Sequence, residues 1–392
     1  MSVRGGFASS LGSCTARLGA AGVAAVLSTG LLAGCRLAAD PPPDGMAAGA
    51  PESEERSITA VSYGGSYARA VVRGYHESFT AESGVRVDLA DFMGGLAQVR
   101  AQVESGSVHW DVVDLNVAET VNGCDEGVLE LIDPSILPPG PNGELPEDDF
   151  LPEMNTECGV GNLLFSSIFA YNREVVAGPP PTRLADFFDL ERFPGRRGMR
   201  RSPEANLEFA MMAAGVPKDR IYAELSTPEG LARAFRKLDT IKDQVVWWET
   251  SAQAPQLLAD GEVLMTTAAN GRIFNAQVLE GQPFEIVWDG QVLDRGQLAI
   301  VAGTPRLEDA IRFLRHAATA ESMAGVGRHI AYSPARYSAE ALIDRHAETG
   351  TEMWPHMPTN PANMENYLMV DWRWWADHGD EMLERFTAWL AR

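Results

Sequence analysis

VVWWETSAQAPQLLADGEVLMTTAANGR, residues 245–272, is the stretch from which the fold class is read. Val245, Val246, Trp247 and Trp248 form a short apolar run that predicts a buried strand. Residues 252–260 follow with amphipathic, helical spacing and stop at Gly261. Residues 263–268 are again strand-like and lead into Asn270-Gly271-Arg272. Strand, helix and strand in that order predict a parallel βαβ unit. Ligands of open α/β sheets bind at the carboxyl ends of the strands. Here those ends carry Trp247, Trp248 and Glu249, then Asn270 and Arg272. Aromatic faces, an acid and an amide can hold a small cation without bond-breaking machinery. Neighbouring strand residues point to opposite faces, so at least one of Trp247 and Trp248 is expected in the core.

Upstream, the same alternation repeats. Residues 57–63 predict a strand that runs into Gly64-Gly65-Ser66-Tyr67, and residues 68–80 have helical spacing. A glycine pair at a strand-to-helix junction lets backbone approach a ligand closely, or makes only a tight connection. Residues 85–90 form a second strand, followed by Asp91-Phe92-Met93-Gly94-Gly95 and a helix over 96–104. Residues 111–115 form a third, ending at Asn116. Three βα units in succession indicate a parallel sheet with helices on both faces, its tips at Gly65, Ser66, Met93 and Asn116 lining one edge. Residues 163–171 make an apolar strand long enough to pass between lobes. Residues 284–288 make another, Asp289-Gly290 reads as a turn, and residues 298–301 are a second crossing strand. The arginines at 196, 197, 200 and 201 are read as surface ion pairing in an acidic chain. Residues 369–390 form an aromatic-rich helix whose Trp372, Trp374, Trp375 and Trp389 are read as core packing.

With 392 residues, two lobes are the default. Apolar content of 45% with 22% charged residues describes a globular protein with a large core. The amino terminus stands apart. Arg4 and Arg17 precede any acid, and residues 18–33 are Ala, Gly, Val and Leu with few exceptions. This is the pattern of a secretory signal over 1–34, too short for a membrane span. Residues 40–55, rich in Pro, Gly, Ala and Glu, extend a flexible tether over 35–56. Without Arg4 and Arg17 the chain has 30 bases against 54 acids, a net charge of −24. Nucleic acid is thereby excluded as a partner, because phosphate binding needs a basic surface. Cys124 and Cys158 remain as an even pair in an oxidising compartment, read as a disulfide. A metal pair is the other reading, but neighbouring His or Cys ligands are lacking.

No G-x-S-x-G turn, H-E-x-x-H pair or Walker loop occurs. His378, within Asp377-His378-Gly379-Asp380, is read as a solvated, acid-rich helix start rather than a metal ligand. No catalytic residue, cofactor or metal is therefore expected.

The order of parts resembles the extracellular solute-binding proteins of ABC transporters, closest to the polyamine (spermidine/putrescine) group. The resemblance covers nearly all of residues 57–392. It is carried by Leu32-Ala33-Gly34-Cys35, which is similar to a lipobox, by Tyr63-Gly64-Gly65-Ser66-Tyr67, and by Trp110-Asp111-Val112-Val113-Asp114. Further carriers are Phe169-Ala170-Tyr171-Asn172, Trp247-Trp248-Glu249 and, most specific, residues 256–272. It implies the two-lobed α/β periplasmic-binding-protein architecture of type II, with crossing hinge strands and a ligand cleft. Lobe 1 is expected over 57–165 and 300–392, and lobe 2 over 166–299. It implies lipidation at Cys35, a permease partner, and export to the periplasm on a lipid anchor. Tyr63, Gly65, Ser66, Tyr67, Met93 and Asn116 are then expected to contact ligand from one lobe. Trp247 or Trp248, Glu249, Asn270, Arg272 and Asp294 do so from the other. The chain departs from a polyamine site in two ways. No clear pair of acids serves both ends of a diamine, and Arg272 would repel it. An arginine can instead grip a carboxylate, so an amino-carboxylate such as 4-aminobutyrate is the rival ligand. Alternatively Arg272 pairs with an acid and is structural. A secreted enzyme using cleft carboxylates is the rival of another class.

Overall fold

The computed structural model describes residues 56–392. The expected signal segment, most of the tether and Cys35 lie outside the described residues. Ten strands join in one sheet: β1 (Ser57–Ser62), β2 (Arg86–Asp91), β3 (Val112–Asn116), β4 (Gly159–Asn172), β5 (Arg197–Arg200), β6 (Val245–Trp248), β7 (Met265–Ala269), β8 (Phe284–Ile300), β9 (Ser333–Pro334) and β10 (Tyr367–Met369). The order is β2-β1-β3-β8-β4-β7-β5-β6, with β10 beside β8 and β9 beside β4. β1, β2 and β3 run parallel, as do β5, β6 and β7. The unit read from residues 245–272 is present as β6, helix Gln253–Ala259 and β7, with β5 inserted between the two strands.

β4 and β8 are the long antiparallel pair in the middle, and they join the two parallel halves. Each half has its own apolar core, giving the two-lobed architecture expected. One core gathers Ile58, Val71, Phe79, Leu298, Ile300 and Phe313. The other gathers Phe169, Phe187, Phe209, Leu231, Met265 and Phe386. The contribution of such burial is large, since each such side chain removed from water is worth roughly 1.5–3 kcal/mol.

Two expectations are corrected. Residues 284–300 form one strand, not two strands around a turn. Gly290 has φ +76° and sits where β4 shifts register between Ser167 and Phe169, so the chain bends without reversing. Asp289 is occupied elsewhere, accepting hydrogen bonds from the Leu184 amide at 2.7 Å and Asn366 Nδ2 at 2.8 Å. Second, helix Trp372–Leu390, expected with the first lobe, packs its Trp374, Phe386 and Trp389 into the second core. Cys124 and Cys158 are disulfide-bonded with Cα atoms 5.7 Å apart. No helix among the described residues is long and apolar enough to cross a membrane.

Candidate functional site

The β1 strand ends in Tyr63-Gly64-Gly65, and both glycines hold positive φ, +64° and +59°. This opens room for Arg272, at the start of helix Asn270–Val278: a Cβ on Gly65 would lie 2.8 Å from Arg272 Nη1. Nη1 donates to the Gly64 carbonyl at 2.7 Å and Ser66 Oγ at 3.4 Å, and Nη2 donates to the Tyr63 carbonyl at 3.0 Å. Arg272 also bonds the Tyr332 hydroxyl, is 5% exposed and has no carboxylate partner among the described residues. A buried guanidinium held only by neutral oxygens keeps its charge available to a ligand.

Arg272 forms part of the wall of a cavity partly open to solvent. Tyr63, Tyr67, Asp114, Asn116 and Glu119 line it from one side. Arg200, Glu204, Glu208, Trp248 and Ser251 line it from the other, and Asp294, Trp372 and Trp375 complete it. A second chamber shares Tyr63, Arg200 and Ser251 and adds Gly65, Met93 and Glu249. Arg200, the last residue of β5, stands where the chambers meet. It donates to the Met93 carbonyl at 3.3 Å and lies 3.6 Å from Glu204.

The wall is rich in acids. Burial pushes Asp114, Glu119, Glu208 and Asp294 each up to about 7. Most are already occupied. Asp114 accepts the Tyr67 hydroxyl, which in turn accepts from Asn162 Nδ2 at 2.8 Å. Glu119 accepts the Gly95 amide at 2.7 Å and the Asn116 amide at 3.1 Å, completing a capping box with Asn116 on helix Val117–Asp125. Asp294 accepts the Arg295 amide at 2.8 Å. Between Glu204 and Asn206, Ala205 holds φ +63°, a strained backbone for a residue with a Cβ.

Tyr63, Tyr67, Asn116, Trp248, Arg272 and Asp294, expected from sequence, are brought together on this wall, and Gly65, Met93 and Glu249 on the adjoining chamber. Three others stand elsewhere. Ser66 sits behind the glycine turn, beside Arg272. Trp247 points away and packs edge-on against Phe386 and Trp389. Asn270 is fully buried and structural, accepting the Ser166 amide at 3.0 Å and donating to the Ala331 carbonyl at 2.6 Å. Glu249 is half-exposed and pairs with Arg201 at 3.0 Å.

Sequence reasoning missed Arg200, Glu204, Glu208, Trp372 and Trp375. The four arginines near 200 do not share one surface role. Arg197 is buried and donates to the carbonyls of Phe187, Asp189, Phe193 and Gly195, while Arg200 faces the cavity. The available signal was position: Arg200 ends a parallel strand, and Glu204 and Glu208 flank the start of the helix just beyond it. His378 stacks on Trp374 with ring centroids 4.8 Å apart. Among the described residues no group of three or more His, Cys, Asp or Glu could hold a metal ion.

Buried polar atoms without a hydrogen-bond partner mark what the wall is built to meet. Those on this cavity are Glu208 Oε2, Arg272 Nε, Trp248 Nε1 and Thr267 Oγ1, whereas the Trp372 side chain bonds Glu153. Two are donors only, one is an acceptor only, and Thr267 is both.

Residues 74–359 match the family described as bacterial extracellular solute-binding protein. The chain is 38% identical over 345 residues to the gamma-aminobutyric acid-binding protein of Pseudomonas aeruginosa, covering 88% of this chain and 94% of that one. Among solved structures it is similar to the PBP MotA of A. tumefaciens B6 in complex with glucopine. That match has a TM-score of 0.77 and 31% identity, over 85% of this chain and 99% of that one. It is also similar to a GABA receptor, with a TM-score of 0.72 and 28% identity, over 86% and 98%.

Proposed function

Since the chain belongs to the bacterial extracellular solute-binding proteins and is the substrate-binding component of an ABC importer, we propose that it captures an amino-carboxylate of the 4-aminobutyrate type. The observation that carries this reading is the set of unpartnered atoms on the cavity wall. Arg272 Nε and Trp248 Nε1 are donors without an acceptor, and Glu208 Oε2 is an acceptor without a donor. A polyamine brings donors only and leaves these two buried donors unmet, each at roughly 1–3 kcal/mol. A ligand with a carboxylate at one end and an ammonium at the other meets both kinds. The curated relative named for gamma-aminobutyric acid supports the same choice, so the amino-carboxylate replaces the polyamine expected from sequence.

The carboxylate takes the Nε–H of Arg272, and the ammonium takes the acidic side. Closure of the lobes over the bound ligand is the change a permease reads. Anchoring through a lipid on Cys35 belongs to the same proposal, and mass measurement of the mature protein tests it.

Thermal shift with purified protein tests the ligand class. At 4-aminobutyrate 100-fold above Kd, stabilisation of about 2.7 kcal/mol is expected. In a 337-residue unit that is a rise in Tm of about 4 °C. Putrescine should give none. Stabilisation by putrescine without 4-aminobutyrate, or recovery of a chemically altered ligand, refutes the proposal.

A further inference from the structure

The wall contains more acids than one ammonium needs, and their surroundings distinguish them. Glu119 is taken up by two backbone amides, and Asp114 by a tyrosine hydroxyl. Asp294 accepts the amide of the next residue, and Glu204 is partly exposed beside Arg200. Glu208 differs from all four. It is fully buried in helix Asn206–Ala213 and has no cationic partner among the described residues. Its Oε1 is fixed twice, by Trp375 Nε1 at 2.7 Å and by the Tyr222 hydroxyl at 3.1 Å. Its carboxylate also accepts its own backbone amide, while Oε2 has no side-chain partner among the described residues and the residue lines the cavity. A buried carboxylate aimed by neutral donors alone, with one oxygen still unmatched, has capacity for a further donor that carries charge.

We propose that Glu208 receives the ligand's ammonium group, and that Trp375 and Tyr222 are positioning residues that hold its free oxygen towards the cavity. This assignment rests on the amino-carboxylate reading and deepens it. It gives helix Trp372–Leu390 a part in recognition besides its packing, because Trp375 reaches Glu208 from there.

Calorimetry on the full chain with 4-aminobutyrate, and with butyrate as a probe that lacks the ammonium, tests the assignment. Glu208→Gln should weaken 4-aminobutyrate at least 100-fold and leave butyrate within threefold. Its ligand-free melting temperature should be unchanged or higher, because a neutral amide replaces a buried charge. Trp375→Phe and Tyr222→Phe keep the carboxylate but release it, and each should weaken 4-aminobutyrate about tenfold without affecting butyrate. The pair of phenylalanine variants decides the matter if Glu208→Gln fails to fold. If Glu208→Gln binds 4-aminobutyrate within threefold of the parent protein, or loses both probes equally, the assignment is overturned while the ligand class stands. If the parent protein binds no 4-aminobutyrate, the reading beneath it fails instead.

Discussion

Arg272→Lys separates the structural work of this arginine from its work on the ligand. A guanidinium has five N–H groups, and four of them are taken by Gly64, Ser66, Tyr63 and the Tyr332 hydroxyl. The Nε–H remains for a ligand. A lysine ammonium has three donors, all needed by those oxygens, and none remains. One charge-assisted hydrogen bond at roughly 1.5–3 kcal/mol is then lost. That is a rise in Kd on the order of 10 to 10². The ligand-free protein, still holding a cation over the glycine turn, should lose only about 1–2 kcal/mol. Titration calorimetry with 4-aminobutyrate reads the first number and a urea melt reads the second. Butylamine, which lacks the carboxylate, should bind both proteins alike. A lysine variant that binds 4-aminobutyrate within threefold of the parent would show that Arg272 serves the fold alone.

Affinity should fall on acidification through pH 7, because an ammonium is held by ionised acids and the buried carboxylates Asp114, Glu119, Glu208 and Asp294 titrate near 7. Binding should release protons, seen as a binding enthalpy that scales with buffer ionisation enthalpy. The ligand-free protein should move the other way. These carboxylates have folded pKa values above their unfolded values of about 4, so they cost stability progressively as pH rises from about 4 to 7. The melting temperature without ligand should therefore gain from them on acidification while the ligand-induced shift shrinks. Replacing Cys124 and Cys158 with serine opens a 34-residue separation and should cost ~4 kcal/mol on the chain-entropy estimate, read from urea unfolding. Ala205→Gly should stabilise the protein by about 1 kcal/mol, because only glycine adopts that backbone without strain.

The parallel units and the crossing strands were legible because period-2 apolar runs and glycine-bearing junctions are local signals. Direction was not. Alternation says that Trp247 and Trp248 face opposite ways, but only the packing of Trp247 on Phe386 decides that Trp248 takes the cavity. The same holds on helix Trp372–Leu390. All four tryptophans pack in or against the second core, but Trp372 and Trp375, three residues apart, also line the cavity. Asp289-Gly290 has turn chemistry, yet its partners are remote in sequence and the strand continues. Arg200 and Glu208 were hidden for a related reason. In an acidic chain an arginine cluster and a helical glutamate look like solvated surface until tertiary contacts bury them.

The cavity wall draws on positions from Tyr63 to Trp375. No contiguous fragment much shorter than that span contains the whole wall that carries Arg272, Glu208 and Trp375. Contacts so distant along the chain assemble late, after the loop closures they require. Ligand uptake by this protein therefore reports on completed folding, and a refolding chain should recover its helical signal before it recovers the ability to hold a solute.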